Sequence, residues 1–138
     1  YTAERSLNQI LSTQVIKPGS RLIRGGYPVV SFTAAPWQTI RSFFHWQAHL
    51  RRIRFEPYAV GIPKTKARDL GIRPVTYGLP KDFKTLPESE RWLFQNKGQA
   101  RNVWVEESEW RYPGAFDLRA VPDDCLRILT PTGISENR

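Results

Sequence analysis

The sequence has 138 residues, of which 40% are apolar and 25% are charged, and its net charge is +8. This length and composition are those of one globular domain and exclude a disordered chain. A single cysteine, Cys125, excludes an internal disulfide and a multi-thiolate zinc site, and since no apolar run could cross a bilayer we expect a cytoplasmic protein with no membrane partner.

Helices and strands alternate irregularly along the chain, which predicts an α+β fold with a small mixed, mostly antiparallel sheet and three to four short helices. The spacing of Leu7, Ile10 and Leu11 predicts a first helix that begins near Thr2. The predicted strands are 27–33, 58–62, 74–78, 103–105, 110–112 and 126–129. We expect a single domain over 1–131 and a frayed tail over 132–138.

Other helices are predicted in the middle of the chain. Apolar residues at roughly helical spacing predict the longest of them: Trp37, Ile40, Phe43, Phe44 and Leu50. A shorter helix should run from Pro63 to Gly71. Thr85 and Glu88 fit a capping box, in which each side chain satisfies an open backbone donor at the start of a helix.

A pair of acids, Glu107 and Glu109, lies in a predicted strand. Side chains alternate in a strand, so these carboxylates would share one face about 7 Å apart. Two such groups can divide catalytic labour, one stabilising a cationic transition state and the other positioning an attacking group. The alternative is a solvated strand edge at which the acids pair with Arg101 and Arg111.

This E-x-E pair resembles the signature of ADP-ribosyltransferases. The resemblance implies that Glu109 is the catalytic acid, holding the nicotinamide ribose of NAD, and that Glu107 is its partner. That family also uses an Arg on an early strand and a Ser-x-Thr/Ser strand, and Arg24 and Ser31-Phe32-Thr33 follow in the same order. NAD is therefore a candidate cofactor or substrate, with Arg24 on its phosphates.

The positive charge is concentrated in the middle of the chain. Residues 41 to 73 hold eight Arg or Lys and two acids, which suits a nucleic acid or another phosphate-bearing ligand. Arg51, Arg52 and Arg54, with neighbouring aromatic rings, could contact phosphates and stack on bases. Arginines that close a helix also favour its C-terminal dipole, so a structural role is the alternative.

Two histidines share one face of the predicted long helix. His45 and His49 are spaced as metal ligands can be. However, Trp46 stands where a zinc-protease helix carries its Glu, and no third ligand is near. We predict no metal site.

Several phrases resemble the bacterial abortive-infection AbiGi-like family and related uncharacterised proteins. They are Leu7-x-x-Ile10-Leu11, 29–33, 56–62, 71–78 and 107–111, followed by Gly114-x-x-Asp117-Leu118. The resemblance implies a small bacterial cytoplasmic protein of a phage-defence or toxin–antitoxin locus, without a catalytic assignment. Three functions stay open: an NAD-using enzyme, a basic nucleic-acid-binding module, and an antitoxin-type protein that binds a protein partner through exposed aromatic side chains.

Overall fold

A computed structural model describes residues 2–47, 52–53, 55–97 and 108–135. The α-helices are α1 (Ala3–Thr13), α2 (Trp37–Phe43) and α3 (Lys64–Asp69). Short 3-10 helices cover Arg24–Gly26, Pro80–Thr85, Glu88–Leu93, Leu118–Ala120 and Asp123–Cys125. The strands are β1 (Val15–Ile16), β2 (Val29–Thr33), β3 (Trp46–Gln47), β4 (Arg52–Ile53), β5 (Ala59–Gly61), β6 (Arg73–Pro74), β7 (Thr76–Gly78), β8 (Phe94–Asn96), β9 (Glu109–Pro113), β10 (Phe116–Asp117), β11 (Arg127–Thr130) and β12 (Gly133–Ser135).

The predicted α+β class is confirmed. The pairs β2–β9, β6–β9, β3–β4, β5–β11 and β11–β12 are antiparallel, and β7–β8 is parallel. The chain divides into two compact units, the first comprising Tyr1–Val15, Pro36–Lys66 and Asp117–Arg138 and the second Ile16–Ala35 and Ala67–Phe116. The single domain over 1–131 stays a prediction. Every helix in the described ranges is too short or too polar to cross a lipid bilayer.

Helix α1 of the first unit begins where the sequence predicts. The Thr2 hydroxyl accepts a hydrogen bond from the Arg5 amide at 3.2 Å, which caps the helix. The helix ends at Thr13, and the C-cap residue Gln14 has a left-handed φ of 60°. The buried apolar side chains of this unit are Leu7, Leu118, Val121, Leu126 and Ile128.

The predicted frayed tail is wrong over Gly133–Ser135. These residues form β12 and pair with β11, with Thr130 opposite Gly133. Gly133 has a φ of 134°, a conformation that favours glycine and that lets the chain reverse into a hairpin. Residues 136–138 lie outside the described residues.

Helix α2 is shorter than predicted. It ends at Phe43, and the chain then enters β3, in which Trp46 lies opposite Ile53 of β4. Aromatic and β-branched residues favour strands, so local pairing replaces the last predicted turns of the helix. The predicted helix includes Leu50, which lies outside the described residues.

Asp117 caps the 3-10 helix Leu118–Ala120. Its carboxylate accepts hydrogen bonds from the Arg119 guanidinium at 2.9 and 3.0 Å and from the Arg119 amide at 2.9 Å. The side-chain hydrogen bond, followed by the backbone one, lowers the pKa of Asp117. A lowered pKa stabilises the folded protein above the unfolded-state value of about 3.9, and that contribution is lost as pH falls through the lower folded value.

We expect Arg119→Gln to raise the pKa of Asp117 because it removes the guanidinium donor. A carboxyl ¹³C NMR titration of both proteins checks this shift. An Asp117 pKa that is unchanged in the variant would contradict the contact.

The second unit contains the sheet β2–β9–β6, with β9 in the middle. Pro74 lies in the edge strand β6, where a missing backbone donor is tolerated. Phe116 packs edge-to-face against Phe32 and Tyr112, with ring centroids 5.8 and 5.0 Å away. The buried apolar side chains of this unit are Val29, Val30, Ala35, Ala67, Ile72, Val75, Leu93, Phe94, Trp110 and Phe116.

The predicted capping box at Thr85 and Glu88 is wrong. Thr85 is the last residue of the 3-10 helix Pro80–Thr85, and its hydroxyl donates to the Asp82 carbonyl at 2.6 Å. The next 3-10 helix is preceded by Pro87 and has no side-chain cap. The hydroxyl is therefore engaged by the turn behind it.

Gly25 occupies a position that other residues fit poorly. Its φ is 85°, and a Cβ there would lie 2.6 Å from Tyr27 Cε2 and 3.2 Å from Phe83 Cζ. We expect Gly25→Ala to lower the free energy of unfolding by about 1–3 kcal/mol, because it adds both strain and overlap. Urea denaturation measures this, with Gly19→Ala as the control, since a Cβ at Gly19 meets nothing within 4 Å. Equal losses in the two variants would contradict the packing.

Candidate functional site

Two of the predicted catalytic residues meet on paired strands of the second unit. Ser31 lies in β2 and Glu109 begins β9, and in the antiparallel register Thr33 is opposite Glu109. The Ser31 hydroxyl donates a hydrogen bond to Glu109 Oε2 at 3.0 Å. Ser31 is exposed, so this carboxylate lies beside the protein surface.

The Glu109 carboxylate also pairs with a buried cation. Arg111 Nε donates to Glu109 Oε2 at 2.6 Å, and the exposed fractions of the two side chains are 0% for Arg111 and 12% for Glu109. The ion pair between Glu109 and Arg111 that the strand-edge alternative predicts is present, but it is buried and not solvated.

The Arg111 guanidinium also donates hydrogen bonds to acceptors in residues 92–95. Nη1 donates to the carbonyls of Trp92 and Phe94 at 3.0 and 2.8 Å, and Nη2 donates to Gln95 Oε1 at 2.5 Å. A buried charge is stable only when such partners satisfy it. Sequence reasoning missed this role, and the only local signal was an Arg between two aromatic residues of a strand.

The residue before Glu109, Ser108, lies in a turn with an unusual backbone conformation. Ser108 has a φ of 49°, a conformation that typically costs a non-glycine residue of order 1 kcal/mol. The Ala34 amide donates to the Ser108 carbonyl at 2.9 Å, and the Glu109 amide donates to the Tyr77 hydroxyl at 3.0 Å. These bonds fix the backbone from which the Glu109 side chain projects.

The described part of the predicted E-x-E strand begins at Glu109, the first residue of β9, and Ser108 before it has a positive φ. The shared face of Glu107 and Glu109 stays a prediction. Glu107 itself lies outside the described residues, as do Arg101 and the predicted strand 103–105.

Arg24 lines a pocket of the second unit, here called the Arg24 pocket. Its volume is about 260 Å³, and its lining residues are Leu22, Ile23, Arg24, Phe94, Gln95 and Asn96. The Arg24 guanidinium lies 5.3 Å from the centre of the Phe83 ring, a contact that orients a cation without using its N–H groups. Within the described part of the chain, no acceptor receives a hydrogen bond from this guanidinium, and the Arg24 side chain is exposed.

Gln95 connects this pocket to Glu109. Gln95 is one of the residues that line the Arg24 pocket, and its side chain accepts the hydrogen bond from Arg111, which in turn donates to Glu109. The Arg24 pocket is thus linked to the carboxylate of Glu109 through two residues, Gln95 and Arg111. The Arg24 cation and the Glu109 carboxylate can hold a ligand that carries phosphate at one end and hydroxyl groups at the other.

Comparison of the chain with family models, curated proteins and solved structures gave no match. The abortive-infection resemblance therefore stays a prediction, and the functional argument depends on the residues themselves.

The predicted nucleic-acid and metal residues receive less support. Arg51, Arg54 and His49 lie outside the described residues, and Arg52 is placed only as part of β4. His45 is exposed in the bend after α2, so the predicted helical face for a histidine pair is wrong. Among described residues, no group of three or more His, Cys, Asp or Glu could hold a metal ion.

Proposed function

We propose that this protein is an ADP-ribosyltransferase-type enzyme that binds NAD at the Arg24 pocket and Glu109. The observation that carries the proposal is the hydrogen bond from Ser31 to Glu109, which unites a Ser-x-Thr strand with the acid of the E-x-E pair. The abortive-infection resemblance adds that such an enzyme would act in bacterial phage defence.

Glu109 would act on the nicotinamide ribose. Its Oε2 is engaged by Ser31 and Arg111, whereas none of the described residues donates to its Oε1. Oε1 is therefore the acceptor that remains for a ribose hydroxyl. A carboxylate held there stabilises positive charge that develops on the ribose ring in the transition state.

The proposed reaction breaks the bond between ribose C1′ and the nicotinamide nitrogen. The electron pair of that bond leaves with nicotinamide, which departs as a neutral molecule. An acceptor hydroxyl, or water in the simplest case, forms the new C1′–O bond and loses its proton to solvent. With water the products are ADP-ribose, nicotinamide and one proton.

Arg24 would bind the diphosphate. Its guanidinium is exposed, positioned over Phe83 and without an acceptor among the described residues. Guanidinium groups bind phosphate oxygens through paired hydrogen bonds. The Arg24 pocket admits only part of a dinucleotide, so the rest of NAD would lie along the exposed face that carries Ser31.

The side-chain geometry favours this proposal over the two alternatives, a nucleic-acid-binding module and an antitoxin-type protein. The arginines of the nucleic-acid hypothesis have no described side-chain geometry, while Ser31, Glu109 and Arg24 do. The exposed ring of Trp37, with 46% of its surface accessible, is one aromatic group and specifies no protein partner. An antitoxin-type role thus has no comparable site.

A thermal-shift titration tests binding. A ligand that binds only the folded state stabilises it by about 2.7 kcal/mol at one hundred times its Kd. We expect NAD and ADP-ribose to raise Tm, and short RNA and DNA to leave it unchanged. Stabilisation by RNA or DNA and not by NAD would support the nucleic-acid module instead.

Arg24→Gln identifies the site within that assay. It should weaken NAD binding by about tenfold or more through loss of a charge-assisted contact. Arg21→Gln is the matched control, because Arg21 is also exposed and carries the same charge but is not among the pocket residues. Equal weakening in both variants would mean that only overall charge matters.

A further inference from the structure

Arg111 is the one fully buried charged side chain among the described residues of the protein. Four of its hydrogen bonds are described, to Glu109 Oε2, to Gln95 Oε1 and to two backbone carbonyls. A guanidinium has five N–H donors in a rigid planar fork, so these bonds fix its position and its plane. The Arg111 guanidinium is therefore held in one orientation next to the candidate site.

Arg111 contacts only one of the two carboxylate oxygens of Glu109. A purely structural Arg–carboxylate pair is frequently bidentate, with both carboxylate oxygens engaged. Here Nε and the Ser31 hydroxyl both donate to Oε2, while Nη1 and Nη2 donate to acceptors in residues 92–95. The carboxylate is thus held by one oxygen, and none of the described residues donates to the other.

We propose that Arg111 is a positioning residue that holds Glu109 Oε1 at a fixed distance from the Arg24 pocket. This inference rests on the proposed function. Arg111 connects the two ends of that distance. Its Nη2 donates to Gln95, which lines the pocket, and its Nε donates to Glu109. Arg111 does not touch the reacting atoms; it determines where the carboxylate meets the ribose.

The direct test is Arg111→Lys in a steady-state assay of nicotinamide release from NAD. Lysine keeps the positive charge but cannot reproduce the planar fork. We expect kcat to fall by about 10- to 100-fold, because displacement of a reacting group by about 1 Å slows a reaction by that order. KM for NAD should change by less than about threefold, since Arg111 does not contact the substrate. Arg73→Lys is the matched control, since Arg73 lies opposite Arg111 in the sheet, is half-exposed and pairs with Glu90.

The outcomes separate this inference from the proposed function. If wild-type protein releases no nicotinamide, the proposed function is overturned. If wild type releases nicotinamide and folded Arg111→Lys keeps its kcat, or loses only affinity, the positioning role is overturned. A selective loss of kcat in Arg111→Lys and not in Arg73→Lys supports it.

A measurement on unmutated protein covers the case in which Arg111→Lys does not fold. The Nε–H group of Arg111 should give a slowly exchanging signal in ¹H–¹⁵N spectra, assigned through its change in chemical shift in Glu109→Gln, where the acceptor is an amide oxygen instead of a carboxylate. We expect this signal to shift on saturation with NAD, while the Nε–H signal of Arg73 stays. An Arg111 signal that does not move when NAD is bound would overturn the inference.

Discussion

Arg111→Met is expected to lower the free energy of unfolding by about 3–5 kcal/mol, the range found when one partner of a buried ion pair is removed. The loss leaves the Glu109 carboxylate, which is 12% exposed, without its cation. It also leaves the Phe94 carbonyl without the donor of a buried hydrogen bond. Both groups then stay desolvated with fewer partners.

Urea denaturation of Arg111→Met and Arg73→Met measures this difference. Arg73 forms a salt bridge with Glu90 in which the side chains are 49% and 42% exposed. Such surface pairs contribute about 0–1 kcal/mol, so the control should change little. Comparable losses in the two variants would contradict the burial of Arg111.

Phe94→Ala is expected to lower the free energy of unfolding by about 3–5 kcal/mol, since it removes a large buried ring. Phe94 is 1% exposed and packs edge-to-face against Phe83 at 5.5 Å between centroids. Phe94 is also one of the residues that line the Arg24 pocket. The variant should therefore lose both stability and the shape of the pocket.

Phe116→Ala separates these two effects. Phe116 is 2% exposed in the same unit and does not line the pocket, so its loss should cost a similar amount of stability. Under conditions where both variants are folded, we expect only Phe94→Ala to weaken NAD binding. Calorimetric titration measures the Kd for NAD of each variant. Weaker binding in both variants would mean that NAD binding does not depend on the Arg24 pocket.

Local sequence signals predicted part of the fold well. Helix α1 follows from its apolar spacing and the Thr2 cap, and strands β2 and β9 follow from their β-branched and aromatic residues. These elements depend on neighbouring residues in the chain. The end of α2 could not be predicted in this way, because pairing of β3 with β4 competes with helix formation there.

The candidate site was predictable only in its parts. Resemblance to a known signature singled out Glu109, Ser31 and Arg24, but their spatial relation depends on the pairing of β2 with β9, which joins residues 78 positions apart. The role of Arg111 depends on β8 lying against its guanidinium, and no local pattern predicts such a long-range contact. Likewise, the positive φ of Ser108 has no sequence signal comparable to a glycine.

The most direct test of the account is the rate of nicotinamide release from NAD by the wild-type protein and by Glu109→Gln. The substitution is nearly isosteric, and its amide oxygen can still accept from Arg111, so near-ultraviolet circular dichroism should show a folded variant. We predict release by wild type above the rate without protein, and a loss of about 100-fold or more in Glu109→Gln. No release by wild type, or equal rates in the two proteins, would contradict the account.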